Sequence, residues 1–300
     1  MTMNRYDLCL TWNWEYDADF VELLDLACKS RGLSLLQITP ENLEEMIQSL
    51  GNEEITFRTF FDRAADADPR FIPLVEWADR HAVHHINSHA AACRAWDKIA
   101  MHQAVSPHTD TPFTLILPSY DEQPVLSEMD LTSLGESFII KPAYGGGGDG
   151  VITEATSLDQ VLAARQQFHS QRYLVQARVI PVRLGSRKAW FRVIYCTGKV
   201  SPCWWDNDTH IYAPVLSDEE TRYHLESLRT ITSSIAHLCG LELFSTEISL
   251  TPAGRFVTID YVNDPIDLRV QSKALDGVPD DIVRDITECL AELVLSQSHP

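Results

Sequence analysis

The sequence predicts an N-terminal α/β unit with a parallel, doubly wound sheet, joined to an α+β unit built on antiparallel strand pairs. Three observations predict this. Up to about residue 105, strand-like apolar runs alternate with amphipathic helical runs, the pattern of parallel sheets. After the Ser106-Pro107 break, strand-like runs come in pairs with hairpin turn chemistry at Thr197-Gly198-Lys199 and Pro252-Ala253-Gly254. The apolar share is 45% of 300 residues, enough for one or two sizeable cores. The boundary is placed near residue 105, giving units 1–105 and 106–300.

In the first unit Tyr6–Thr11 reads as a strand. Asp17 or Asp19 then caps a helix with Phe20, Leu23, Leu24 and Ala27 on one face, ending near Gly32. Leu33–Ile38 is a second strand, and Pro40 opens a helix over Glu41–Leu50 that Gly51 closes. Ile55–Phe61 and His84–Ile86 are further strands, with a helix at Pro73–His81 between them. Asn87 or Ser88 caps one helix running to about Val105. In the second unit the strands are Thr114–Leu117, Phe138–Lys141, Val151–Thr153, Tyr173–Val179, Ala189–Thr197, Lys199–Trp204, Phe244–Ser249 and Phe256–Tyr261. Helices are expected at Leu158–Phe168, Glu219–Cys239 and Asp280–Leu295.

Composition excludes several classes. Twenty-four Lys and Arg against 43 Asp and Glu give a formal charge of −19, which repels a phosphate backbone, so nucleic acid is not an expected partner. No apolar run is long enough for a membrane span, and Met1–Leu10 carries Asp7 without a cleavage pattern, so no membrane association and a cytoplasmic location are expected. The seven cysteines are irregularly spaced and form no C-x-x-C pair, which fits reduced, mostly buried thiols. His85, His89 and Cys93 share a spacing of four, but His85 belongs to the strand before the cap, which breaks a zinc-site register.

The sharpest motif is Phe138-Ile139-Ile140-Lys141-Pro142-Ala143-Tyr144, followed by Gly145, Gly146, Gly147, Gly148, Asp149 and Gly150. A strand delivers a lysine, then a loop with five glycines in six residues, then Val151 and a second strand. Glycines let successive N–H groups point into one concavity, a nest for phosphate oxygens, and a lysine adds a compact positive charge. The pattern is neither Walker A nor a Rossmann fingerprint, because a strand follows the glycines. The alternative is a flexible hairpin tip.

A strand ending in Lys-Pro before a glycine-rich hairpin resembles the phosphate-covering loop of the ATP-grasp superfamily, close to carboxylate–amine ligases and the ATP-binding domain of glutathione synthetase. The resemblance implies a pre-ATP-grasp domain over 1–105 and an ATP-grasp domain over 106–300, with a small lid half at about 106–180 and a larger half at about 181–300. It implies ATP and Mg²⁺ as cofactors. Lys141 and Tyr144–Gly150 would cover the phosphates, and Lys98, in Asp97-Lys98, stands where the family carries an earlier lysine. Thr111-Pro112-Phe113-Thr114 resembles the strand entering the domain, and Tyr173–Ile180 the hinge strand, in which Gln176, Ala177 and Val179 would read adenine. Where many members carry a ribose-binding acid, this chain has Arg183 and Arg187, so ribose recognition is unassigned.

The carboxylate pair of the family maps onto Glu247 and Asp260, with Asn263 as the amide metal ligand. The hairpin at Pro252–Gly254 brings the two acids onto neighbouring strands, and Mg²⁺ takes oxygen ligands of this kind. The common pattern is acid-x-Asn, whereas two residues separate Asp260 from Asn263. Either a bulge shifts Asn263 into place, or Asp264 substitutes, or Tyr261 holds the acidic slot. Arg192, within an apolar strand, needs an anionic partner, which the resemblance makes the transferred phosphate or acyl phosphate. Arg269 could clamp a substrate carboxylate. Trp12-Asn13-Trp14-Glu15 and Trp204-Trp205-Asp206-Asn207 are candidate pocket linings.

The resemblance implies an ATP-dependent ligase that joins a small-molecule carboxylate, activated as an acyl phosphate, to an amine, with amino acids among the candidates. It also admits a homodimer. The alternatives are a small-molecule kinase on the same fold, disfavoured by the acidic composition, and a non-catalytic ATP-binding protein, favoured by the Asp260-x-x-Asn263 spacing.

Overall fold

The computed structural model describes residues 3–126 and 129–298; Met1, Thr2, Ser127, Glu128, His299 and Pro300 lie outside them. The chain begins with strand β1 (Asn4–Trp12), helix α1 (Ala18–Ser30), β2 (Leu35–Ile38), α2 (Leu43–Gly51), β3 (Ile55–Arg63), α3 (Ile72–Arg80) and β4 (His84–Ile86). The four strands form one sheet in the order β2-β1-β3-β4, every pair parallel. Alternation of strand and helix dictates this, because each helix must cross back over a sheet face to start the next parallel strand.

Asp17 does not cap α1. Its carboxylate is buried and takes two hydrogen bonds from the Arg63 guanidinium, 2.9 Å from Nε and 2.8 Å from Nη2, and the same Nη2 also donates to the Ile266 carbonyl. A buried guanidinium outbids a helix amide for a carboxylate, since leaving the ion unpaired costs more than leaving a partly hydrated N–H. The expected single helix over 88–105 is two, α4 (His89–Trp96) and α5 (Lys98–Val105). Asp97 between them is extended and accepts from the N–H groups of Ile99 and Ala100, so a new helix starts there.

The rest comprises β5 (Thr114–Leu117), β6 (Phe138–Pro142), β7 (Ile152–Ala155), α6 (Leu158–Gln167), β8 (Tyr173–Ala177), β9 (Arg183–Leu184), β10 (Arg187–Lys188), β11 (Trp190–Cys196), β12 (Lys199–Trp205), β13 (Tyr212–Pro214), α7 (Ser217–Tyr223), α8 (Ser227–Cys239), β14 (Leu243–Leu250), β15 (Phe256–Asn263) and α9 (Asp280–Ser298). The small β9–β10 hairpin and β13 have no strong sequence pattern. The helix expected over 219–239 is broken where His224 adopts a left-handed conformation, φ 55°. Besides the two-stranded β9–β10 pair, two larger antiparallel sheets result, ordered β5-β8-β6-β7 and β13-β12-β11-β14-β15.

One face of the five-stranded sheet packs Phe191, Val193 and Ile248 against Leu228 of α8. On the other face, Ile194, Cys196, Cys203 and Leu243 join a core with Leu8 and Leu10 of β1, Phe20 and Leu24 of α1, and Ile286 and Leu290 of α9. The C-terminal helix therefore sits between the parallel sheet and the five-stranded sheet. Asn87 adds a polar clamp. It donates to the Leu243 carbonyl at 2.6 Å and the Asp264 carboxylate at 2.8 Å, and accepts from the Glu242 and Leu243 amides.

Two outcomes follow. Replacing Asp17 by Ala strands a buried Arg63 and lowers unfolding stability by about 3–5 kcal/mol, whereas Asp17→Leu with Arg63→Met recovers most of it, both read from urea midpoints. His84 donates to Glu242 at 2.9 Å, and that bond raises its pKa above 6.5. The stabilisation is complete below the unfolded-state pKa and fades as pH rises through the higher folded value. Urea midpoints across pH 6 to 9, roughly, therefore carry a declining component that Glu242→Gln removes.

Candidate functional site

The open end of the five-stranded sheet faces the β6–β7 hairpin across a cleft of about 1400 Å³. The register explains the cleft floor. Tyr212 pairs with Trp205, Arg192 with Glu247, and Glu247 with Asp260, and all five line the cleft. Alternation along β11 puts Trp190 and Arg192 on the cleft face, while Ile194 and Cys196 lie on the same face under α9.

Asp260 lies between two register shifts. Ser245 pairs with Asn263, Glu247 with Asp260, and Ile248 with Thr258. Two steps on β14 match three on β15 between Glu247 and Ser245, so a bulge absorbs the extra residue of Asp260-x-x-Asn263. Asn263 thereby lines the cleft beside the two acids. Tyr261 does not: its hydroxyl is buried, 2.5 Å from His102 Nδ1, and accepts from Gln176 at 3.3 Å. Asp264 lines the cleft but is held by Asn87, and burial pushes its carboxyl up to about 6. The second shift leaves Ile259 as the extra residue, and its carbonyl accepts from Lys141 Nζ at 3.2 Å.

The acids carry opposing influences. Burial pushes the Glu247 carboxyl up, and Arg192 pulls it down. Glu247 also accepts from Trp190 Nε1 at 3.2 Å, while the Arg192 guanidinium stands 3.8 Å away, over the Trp205 ring, and donates to Ser245 Oγ at 3.1 Å. Trp190 was not singled out in the sequence, yet its place two residues before Arg192 in a strand puts it on the same face. Three oxygen-bearing side chains, Glu247, Asp260 and Asn263, thus line the same floor of the cleft, a donor set of the kind a hard cation such as Mg²⁺ takes. No group of three or more His, Cys, Asp or Glu forms a metal site among the described residues. His85 instead faces Asp79, and His89 contacts Cys93.

The glycine loop forms the opposite wall. Lys141, Tyr144 and Gly145–Gly148 line the cleft, and Lys98 joins them from the first turn of α5. Lys98 N–H donates to the Ala143 carbonyl at 2.9 Å, Lys98 Nζ donates to the Gly145 carbonyl, and the Tyr144 hydroxyl donates to Asp97 at 3.2 Å. Burial lowers the Lys98 pKa and Lys141 lowers it further, while Asp260 opposes them. Gly145, Gly147 and Gly148 have φ of 124°, 61° and 81°, which other residues adopt only under strain. Gly150 lies outside the cleft lining. A Cβ there would stand 2.8 Å from the Phe168 ring at φ 68°, so this glycine serves packing under the loop.

Two expected adenine contacts, Gln176 and Ala177, fall elsewhere, and Arg269 is on the cleft lining but engaged. Gln176 is buried and spans Thr114 Oγ1 and Tyr261. The Ala177 N–H is taken by the Phe113 carbonyl at 2.8 Å, and β8 ends there, leaving Val179 and Ile180 on the cleft wall. Arg269 lines the cleft but is already clamped by Asp267 at 2.7 Å and Asp276 at 2.9 Å, and stacks over exposed Trp14. Two carboxylates saturate the fork that a substrate carboxylate would need. Trp205 lines the cleft, whereas Trp204 packs on the opposite face.

Gly150→Ala is expected to destabilise the chain by about 1–3 kcal/mol through strain and overpacking, while Gly146→Ala, with open space and no positive φ, changes stability by less than about 0.5 kcal/mol; thermal melts compare them.

No family model matches the sequence, and no curated protein gives a significant match. Solved structures do. The D-alanine–D-alanine ligase of Bacillus anthracis, in complex with ATP, superposes with a TM-score of 0.67 at 9% identity over 98% of this chain and 97% of that one. The macrocyclase MdnC of Microcystis aeruginosa, bound to its precursor peptide MdnA, gives 0.65 at 10% identity over 96% and 99%. The ATP-grasp ligase PsnB, complexed with a minimal precursor, Mg and ADP, gives 0.63 at 12% identity over 98% and 99%.

Proposed function

We propose that this chain, which has the ATP-grasp fold, is an ATP-dependent ligase that activates a carboxylate and joins it to an amine. The carrying observation is that Lys141 and the glycine loop face the Glu247–Asp260 pair across one cleft. A triphosphate laid between them meets cations and free N–H groups on one side and the acids that bind its metal on the other. Similarity to ligases complexed with ATP, or with ADP and Mg, supports the same reading.

In this reading ATP lies with its adenine against Val179 and Ile180 and its phosphates under Gly145–Gly148, neutralised by Lys98 and Lys141. Residues 106–180 form the half that closes over the nucleotide. Glu247, Asp260 and Asn263 hold Mg²⁺, which supplies Lewis-acid stabilisation of the charge on the transferred phosphoryl group. The Asp260-x-x-Asn263 spacing is absorbed by the bulge, so it gives no support to a non-catalytic reading. Arg192, whose carboxylate neighbour Glu247 stands 3.8 Å away rather than in a bidentate pair, faces the γ-phosphate and then the acyl phosphate. The substrate carboxylate attacks the γ-phosphorus with loss of ADP. The amine then attacks the acyl carbon and displaces phosphate. Closure of the glycine loop keeps water from the acyl phosphate. Arg269, saturated by Asp267 and Asp276, orders the rim, and its role is to shape the substrate end rather than to clamp a carboxylate.

Calorimetric titration of ATP, with and without Mg²⁺, tests this. Wild type binds ATP in a Mg²⁺-dependent manner, and Lys141→Ala weakens binding at least about tenfold, near 1.4 kcal/mol. Glu247→Gln with Asp260→Asn abolishes the Mg²⁺ dependence. A panel of carboxylates, each paired with an amine, then releases ADP and phosphate only for the productive pair. Absence of ATP binding in wild type overturns the reading.

A further inference from the structure

The sheet face that floors the cleft continues under α9, and there β11 ends at Cys196. The Cys196 Sγ points across the interface at the Ile286 carbonyl, 3.9 Å away. Cys289 lies one turn further along the same helix, so both thiols sit in the seam between β11 and α9, where each acts on the other's charge. Cys196 is 3% exposed, and Cys289 is partly exposed at the edge of the same core. The surroundings are polar on one side only. Lys199, at the start of β12, pairs with Asp285 at 2.9 Å, one turn before Cys289, and its ammonium acts on the Cys289 sulfur. Arg31 of α1 binds Glu288 and Glu292, which flank Cys289.

The other thiols lack this setting. Burial pushes Cys28 and Cys203 up to about 12 and Cys239 to about 11, and it also raises Cys9 and Cys93. Cys289 alone goes the other way, downward, because the neighbouring Cys196 thiol and the Lys199 ammonium favour its thiolate. A thiol that is partly thiolate, reachable from solvent and backed by a second thiol has the features of an oxidation-sensitive site.

We propose that Cys289 and Cys196 form an oxidisable pair in which Cys289 reacts with hydrogen peroxide and Cys196 converts the product into a disulfide. The Cys289 thiolate attacks one peroxide oxygen, the O–O bond breaks, and the departing hydroxide takes up a proton as water, leaving a sulfenic acid. Cys196 then attacks the sulfenyl sulfur. The S–O bond breaks, and the Cys196 proton leaves with the hydroxyl as a second water. Two thiols and one peroxide thus give one disulfide and two waters. The bond staples β11, which carries Arg192, to α9, which packs on α1. This inference does not depend on the ligase reading.

The full-length reduced protein is treated with equimolar hydrogen peroxide and mapped by mass spectrometry without reduction. The expected result is a loss of about 2 Da per chain, one cross-linked peptide containing Cys196 and Cys289, reversal by dithiothreitol and a higher Tm in the oxidised form. Cys289→Ser eliminates the cross-link. Cys196→Ala leaves Cys289 as a sulfenic acid that dimedone traps, with circular dichroism checking that this core variant is folded. If it is not, the wild-type and Cys289→Ser maps decide alone. Oxidation that starts at Cys93, a Cys289 sulfinic acid formed without any cross-link, or two thiols that stay free would each overturn the proposal.

Discussion

Two carboxylates on directly opposed positions of neighbouring strands repel one another, and this constraint organises the rest of the cleft. Glu247 and Asp260 are tolerable there only because other charges and dipoles converge on them. Arg192 approaches from the next strand, and the Trp190 indole donates from the same strand. Lys141 comes from the other antiparallel sheet and anchors on the carbonyl that the bulge at Ile259 leaves free. The two register shifts therefore have separate effects. The one at Ile259 frees a main-chain acceptor for the lysine, and the one between Asp260 and Asn263 brings Asn263 onto the cleft lining with the acids. Ordinary antiparallel pairing through this stretch would lose both.

Because Lys141 reaches across from a different sheet, the site exists only while the two antiparallel sheets hold their relative position. A buried polar path maintains it. Thr114 of β5 and Gln176 of β8 connect through the Tyr261 hydroxyl of β15 to His102 of α5. The same α5 begins at Asp97 and Lys98, where it meets the glycine loop. One short helix thus touches the loop, β8 and the acid-bearing strand β15. A buried network of this kind is costly when incomplete, which makes it a device for fixing geometry rather than for adding stability.

The N-terminal unit contributes through clamps, not through side chains on the acids. Asn87 ties the end of β4 to the start of β14 and to Asp264, and Arg63 ties the end of β3 to the carbonyl of Ile266. Both hold the segment that follows β15, where Asp267 and Arg269 shape the rim of the cleft. The charge of −19 fits this arrangement. Lys188 and Arg269 on the cleft lining are paired with acids, while Lys98 and Lys141 lie on the side of the glycine loop.

The parallel pairing of the first sheet, the lysine before the glycine loop and the acids flanking a hairpin were all legible in the sequence, because each depends on local periodicity or on residues a few positions apart. The sequence by itself determined which side chains have the chemistry to bind phosphate or a hard cation, and those are what the proposed function uses. It did not determine where Asp17 points, since its partner Arg63 lies 46 positions away, nor that Gln176 turns inward to Tyr261, 85 positions on. It left three ways to complete the acid pair, and only the β14–β15 register chose the bulge. It offered Arg269 to a substrate carboxylate, and only the fold of the 267–276 segment brought two acids onto that guanidinium. The physical reason is common to all four: local chemistry sets what a side chain can bind, and long-range packing sets which partner reaches it first.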